Sequence, residues 1–341
     1  MSSIINMSTD VKKLLIKNAI EKVIHQNQPY SKREIRNLID IGIEFSKGRF
    51  QKRFLTTVQT MLENENSAYF DLVEDTLNHV NHKYLTTFGL NIGYNGCTKG
   101  AKIIRENEKG GYNIPWILML EINENTYDYN SYHSIIQQAN ELGIYTFALF
   151  VQGNLKKIIP LLIGHPESAF TLLLHTNQIT PGFIYDIKGI YNVMISLFGN
   201  EDLDSICETL REEKMMYSIY IRYTPEEPEQ WLQKETLQRL LKHQPLFLFY
   251  FPTHMSDDKR LYQTLLDIRQ NQTYPVLLME MRYDSMMIDQ VISQDSVFVA
   301  FNQYGHLHDG TTLYKDDESN PFKTPLKSIF QHYFKKTDQP R

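Results

Sequence analysis

Hydrophobic positions along this chain follow two different rhythms. In the first hundred residues they recur at helical spacing. Val11, Leu15, Ile16, Ile20, Val23 and Ile24 mark one stripe, and Ile35, Leu38, Ile39 and Ile43 a second. Phe54, Val58, Met61 and Leu62 mark a third, and Phe70, Val73, Leu77 and Val80 a fourth. Ser31 followed by Glu34 is a capping box, in which hydroxyl and carboxylate each satisfy a backbone N–H of the first turn. Pro29 sits in a turn position. This pattern predicts a bundle of four or five helices, ending near the Gly110-Gly111 pair.

Beyond Ile114 the rhythm changes. Apolar runs cover 116–122, 145–151, 170–175, 192–197, 217–223, 246–251 and 276–279. Between them lie helical patterns over 129–142, 155–164, 183–189, 203–214, 229–243 and 256–270. Uninterrupted apolar strands with helical crossovers imply a parallel sheet covered on both faces. Six such units in succession predict an α/β fold, a partial (β/α)6 barrel of the TIM-like kind. Its polar chemistry belongs at the C-terminal ends of the strands. Residues 297–307 read as a strand, a tight turn at Tyr304-Gly305 and a short return, and an amphipathic helix is expected near 326–333. The expected domains are therefore a helical bundle over 1–110, the barrel over 111–312, and a polar tail with a short helix over 313–341.

Composition narrows the partners. The chain has 341 residues, 42% of them hydrophobic, with a net charge of -5. That suits sizeable cores and offers no basic stripe for a nucleic acid. The longest apolar runs have strand length, too short to span a bilayer. The opening stretch lacks a basic segment followed by an apolar core and cleavage site, so a cytoplasmic location is the expectation. Two cysteines, Cys97 and Cys207, make neither a disulfide framework nor a zinc knuckle.

Local constellations of polar residues each have a plainer reading beside the chemical one. His306, His308 and Asp309 could approach a metal, against surface turn histidines. His79 and His82 share a helix face but lack the rest of a metal motif. Ser196 has no nucleophile elbow around it. The glycines of 91–96 lack the strand a dinucleotide site needs, and a capped turn between helices is the expectation there. The strand ends are richer: Asn123, Gln152, Asn154, His175, Asn177, Ser196, Arg222, Tyr223, His254, Glu280 and Arg282 would ring a barrel mouth if alternation turns them inward. Such groups suit a polar small molecule, or they satisfy one another and close the barrel.

Three segments in order carry a family resemblance. IPWILML (114–120) resembles the first strand of a radical S-adenosylmethionine (SAM) enzyme, here running through EINENT (121–126) without a cluster loop. SIIQQANELGIY (134–145) resembles the first helix and second strand of a Firmicute-like subgroup. The Gly-Gly-Glu-Pro end expected there reads VQGN (151–154). LHTNQIT (174–180) followed by NVMISLFG (192–199) resembles the third and fourth strands, and NQYGHLHD (302–309) the late segment that normally bears a cysteine. The resemblance covers about two hundred residues and, with the helical first half, implies a partial barrel of radical SAM type. It also implies that the three thiolates of the iron–sulfur cluster are missing. The expected function is a catalytically inactive, regulatory or scaffolding pseudoenzyme with a protein partner and no cofactor. The alternative is a cluster-free enzyme or small-metabolite sensor, with Gln152, Gly153, Asn154, His175, Asn177, Ser196 and Arg222 as the ligand-binding candidates.

Overall fold

The computed structural model describes residues 31–336 apart from 46–48, 255 and 294, together with Lys13, Lys17, Asn18 and Glu21. The stripe expected from Val11 to Ile24, and Pro29, lie outside the described residues or are represented there only by those single positions. The helical half begins at Lys32–Phe45, and the capping box forms as expected: Ser31 N donates to Glu34 Oε2 at 2.7 Å. Helices Arg49–Met61, Tyr69–His79 and His82–Leu90 follow, the last capped by Asn81.

The expected turn at 91–96 is corrected. Asn91–Gly100 is π-helical and joins His82–Leu90 to helix Ala101–Glu108 without a break. Asn91 and Asn95 explain its placement. Their amides donate to the carbonyls of Pro166, Glu167 and Ser168, binding the segment to the loop ahead of the third strand. Gly100 lets the end of the segment approach the Gly143 turn: a Cβ there would sit 2.2 Å from the Gly143 carbonyl oxygen.

The second half is a half-barrel. Strands β1 (Ile117–Asn123), β2 (Thr146–Gln152), β3 (Ala169–Leu174), β4 (Val193–Phe198), β5 (Tyr217–Tyr223), β6 (Phe247–Pro252) and β7 (Leu277–Glu280) pair in sequence order, all parallel. Six crossovers join these seven strands. β8 (Ala300–Phe301) pairs parallel to β1, and β9 (Leu307–His308) and β10 (Leu313–Tyr314) extend that side antiparallel. The sheet stays open, with β10 and β7 at its edges.

Helix Tyr129–Leu142 matches its expected span, between an Asp128 N-cap and a left-handed Gly143. Three expectations shift. Residues 155–164 begin as a 3-10 turn, Leu155–Ile158, before helix Ile159–Gly164. The pattern over 229–243 is broken by an extended Gln233 into Glu229–Leu232 and Lys234–Leu241. Glu280 is followed directly by a helix, Met281–Ser293, where no element was expected.

One large core joins both faces of the sheet with Tyr84, Phe88, Ala101 and Ile104 of the helical half and with Leu326, Ile329 and Phe330 of the C-terminal helix Leu326–Tyr333. A smaller core of Ile35, Leu62, Tyr69, Phe70, Leu72 and Leu77 holds the first helices together and touches the sheet at Leu246 and Leu277. The end of the described chain closes on the barrel's entry: Asn113 N donates to the Phe334 carbonyl at 2.8 Å and Lys336 N to that of Gly111 at 2.9 Å. Among the described residues no helix is long and apolar enough to cross a membrane.

Candidate functional site

Strand register decides what the barrel presents at its mouth. Side chains alternate along each strand, so positions two apart share the concave face. Glu121, Phe150, Leu173, Ser196 and Ser218 lie in one row across β1 to β5. Phe198, Tyr220, Phe249 and Met279 form the next row, and Arg222 pairs with Phe251 beyond it.

Aromatic rings fill this end. Phe150 meets Phe251 edge-on, with centroids 5.3 Å apart. Tyr220 packs on Phe198 at 5.3 Å and reaches both Phe150 and Phe251 at 6.2 Å. His175 caps the cluster on Phe198 at 5.0 Å. Edge-to-face packing of this kind makes a dense plug. Ser196 and Ser218 lie beside it, fully buried, and neither hydroxyl finds a hydrogen-bond partner among the described residues.

The polar candidates gather into two knots at the loops. In the first, Gln152 accepts from Asn123 Nδ2 at 3.2 Å, and Asn154 N donates to Glu124 Oε2 at 2.7 Å. Gly153 has φ +95°, and a Cβ on it would fall 2.5 Å from Glu124 Cγ. The Asn154 side chain is spent on capping the turn at Lys156. The chain after β1 is a tight turn: Thr126 N returns to the Asn123 carbonyl, and Asp128 then caps the next helix.

The second knot is built on Glu201. Its Oε1 pairs with His175 Nδ1 at 2.5 Å, and its Oε2 accepts from Thr176 N and Oγ1 at 2.6 and 2.7 Å. Partial burial alone would raise the Glu201 carboxyl. The Thr176 and His175 hydrogen bonds outweigh it and hold the group below its usual range.

Asn177 and Arg222 are exposed, and His254 pairs with Glu226 at 3.0 Å. Arg282 is turned to the Ser256 carbonyl, and Tyr223 donates to Glu280 at 3.0 Å. Glu280 is wholly buried, not at the rim where alternation suggested it. Sequence reasoning passed over Glu124, Glu201 and the aromatic plug. The plug's signal was present: Phe247, Phe249 and Phe251 alternate along one strand.

The metal candidates have other engagements. His306 Nδ1 faces Asn302 at 3.3 Å, His308 Nδ1 accepts from Gly310 N, and Asp309 accepts from Thr311 and Thr312 N. His79 pairs with Asp75, and His82 Nε2 lies 3.2 Å from the Leu77 carbonyl oxygen. Among the described residues no three His, Cys, Asp or Glu side chains converge as a metal site would require. Cys97 and Cys207 are both buried, and burial pushes each thiol up to about 12.

Below the plug the concave face is hollow, from the base of the strands up to Phe251. A cavity of about 620 Å³ lies between the sheet and the helical half. Thr146, Ala148, Thr171, Met194 and Phe249 line it from the strands, with Phe251 of the plug. Leu38, Phe50, Phe54, Leu55, Leu85, Phe88 and Gly89 line it from the helices.

No protein-family model and no curated protein matches this chain. Among solved structures, Streptococcus suis SuiB bound to S-adenosylmethionine is 12% identical, with a TM-score of 0.47 over 67% of this chain and 66% of that one. A second structure of Streptococcus suis SuiB is 11% identical, with a TM-score of 0.47 over 67% of this chain and 68% of that one.

Proposed function

We propose that this chain is a radical-SAM-like pseudoenzyme, a barrel that serves as a regulatory or scaffolding protein through contacts with a protein partner. The observation that carries the reading is the cluster of aromatic rings packed at the mouth. Where a radical SAM enzyme needs a cysteine loop, residues 123–126 make a tight turn clasped by Gln152 and Asn154. Where it needs room for SAM, Phe150, Phe198, Tyr220 and Phe251 interlock.

An iron–sulfur cluster does not fit the donors present. It is held by thiolates supplied together. Cys207 lies on helix Asp204–Glu212 and Cys97 in the π-helical segment, both buried and held as thiols. The rival reading, a metabolite sensor at the mouth, needs space that the plug takes. For contact with a protein the outer layer offers Tyr129, Ile163 and Tyr185, on three successive helices and 36, 59 and 80% exposed.

Anaerobic reconstitution with iron and sulfide tests the reading. The expected product lacks the stoichiometric charge-transfer band at about 400 nm that thiolate-bound clusters give. Calorimetric titration with SAM should show no tight site. A stable four-iron spectrum abolished by Cys97→Ala or Cys207→Ala would overturn the pseudoenzyme.

A further inference from the structure

We infer that the chamber between the helical half and the sheet binds the alkyl or prenyl chain of a neutral single-chain amphiphile. Protein interiors pack densely and leave few voids larger than a water molecule. This one has about 620 Å³, within the range of roughly 300–1,000 Å³ typical of small-ligand sites. Leaving apolar walls without neighbours costs stability, so an unfilled chamber of this size is unfavourable unless something occupies it.

Its lining selects the occupant. Among the described residues that line it there is no Asp, Glu, Lys, Arg or His. A charged group carried inside would lose its water and gain no counter-ion. Leu, Ile and Phe side chains make the walls, and Met194, Met216, Met279 and Met281 add adaptable thioethers that conform to a flexible chain.

The chamber also has an entrance. Phe54 and Gly89 line it, yet Phe54 is 45% exposed and Gly89 is exposed too. The opening therefore lies between helices Arg49–Met61 and His82–Leu90. A Cβ added to Gly89 would meet nothing within 4 Å, so this position looks onto empty space. An amphiphile entering here buries its chain against the sheet and leaves its uncharged head at the rim. The inference rests on this chamber alone and stands whether or not the mouth is inert.

The test is a fluorescence titration of the full chain with N-phenyl-1-naphthylamine, followed by displacement with 1-octanol, 1-decanol and 1-dodecanol below their aggregation limits. The expected result is one saturable site per chain. Each added methylene should tighten displacement by about fourfold, the value of one buried CH2. Decanoate, in buffer alkaline enough to keep it ionised, should displace far less well than 1-decanol. Gly89→Phe puts a ring at the entrance, where an added Cβ meets nothing within 4 Å, and should abolish saturable binding with the melting temperature unchanged or raised. Phe54→Asp, at the exposed rim, should weaken it. Absence of a saturable site, equal displacement by decanoate and 1-decanol, or undiminished binding by Gly89→Phe would each overturn the inference.

Discussion

The two ends of the half-barrel share one concave face and one alternation of side chains, yet one end is solid and the other hollow. At the mouth the strands contribute Phe150, Phe198, Tyr220 and Phe251, large enough to meet across the curve. At the base the central strands β2 and β3 contribute Thr146, Ala148 and Thr171, which are too small to do so. The helical half lies over that base without filling it. The difference teaches that a barrel's site is set by side-chain volume row by row, not by polarity at the strand ends.

The largest expected effect breaks the division itself. Phe251→Ala removes a ring that belongs to both plug and chamber wall and should destabilise the protein by about 3–5 kcal/mol, as buried Phe truncations do. Urea unfolding measures it. A loss under ~1 kcal/mol would mean that the plug is not close-packed.

The next compares the buried edge of the mouth with its rim. Burial raises Glu280 from an ordinary 4.5 to about 7, against hydrogen bonds from Tyr283 N and the Tyr223 hydroxyl. Between these values the folded protein holds a proton that the unfolded chain releases. The stability that Glu280 contributes is therefore full below pH 4.5 and declines as pH rises toward 7. At about 1.36 kcal/mol per unit the loss is at most a few kcal/mol. Glu280→Gln should flatten the stability profile across that window, read by denaturant titration at successive pH values. A slope unchanged in the variant would assign it to other carboxyls.

A smaller effect tests the first polar knot. Gly153→Ala combines a left-handed backbone with a clash against Glu124 and should cost about 1–3 kcal/mol. Thermal unfolding decides it, and a neutral result would show the loop free to shift. The smallest is a gain at the hollow end. Gly89→Ala, in helix His82–Leu90 with open space beyond its Cβ, should stabilise by about 0.5–1 kcal/mol. Any loss there would mean that the chamber wall is tighter than its volume implies.

The half-barrel was legible because its punctuation is local. Asp128 and Gly143 announce both ends of helix Tyr129–Leu142, and the apolar strands stand between turns. The helix Met281–Ser293 was hidden by acids on its inward side. Asp284 and Asp289 are buried, and each serves a backbone N–H, of Glu280 and Trp116 respectively. A polarity pattern reads such positions as exposed. The π-helical segment escaped because its wider turn does not follow the helical period on which the reading relied. At the mouth, counting polar residues drew attention to Asn154 and Asn177. Packing is decided by the aromatics between them, and neither plug nor chamber can be seen until register brings distant strands side by side.

The taper of the sheet has a consequence for the molecule's company. Strands β1 to β6 run six or seven residues, but β7 has four and β8, β9 and β10 have two each. An open parallel sheet with long free edges would offer a template to any extended chain it met. Here each border presents only a few unpaired backbone groups. A barrel left unclosed thereby offers an incoming strand little to pair with at either border.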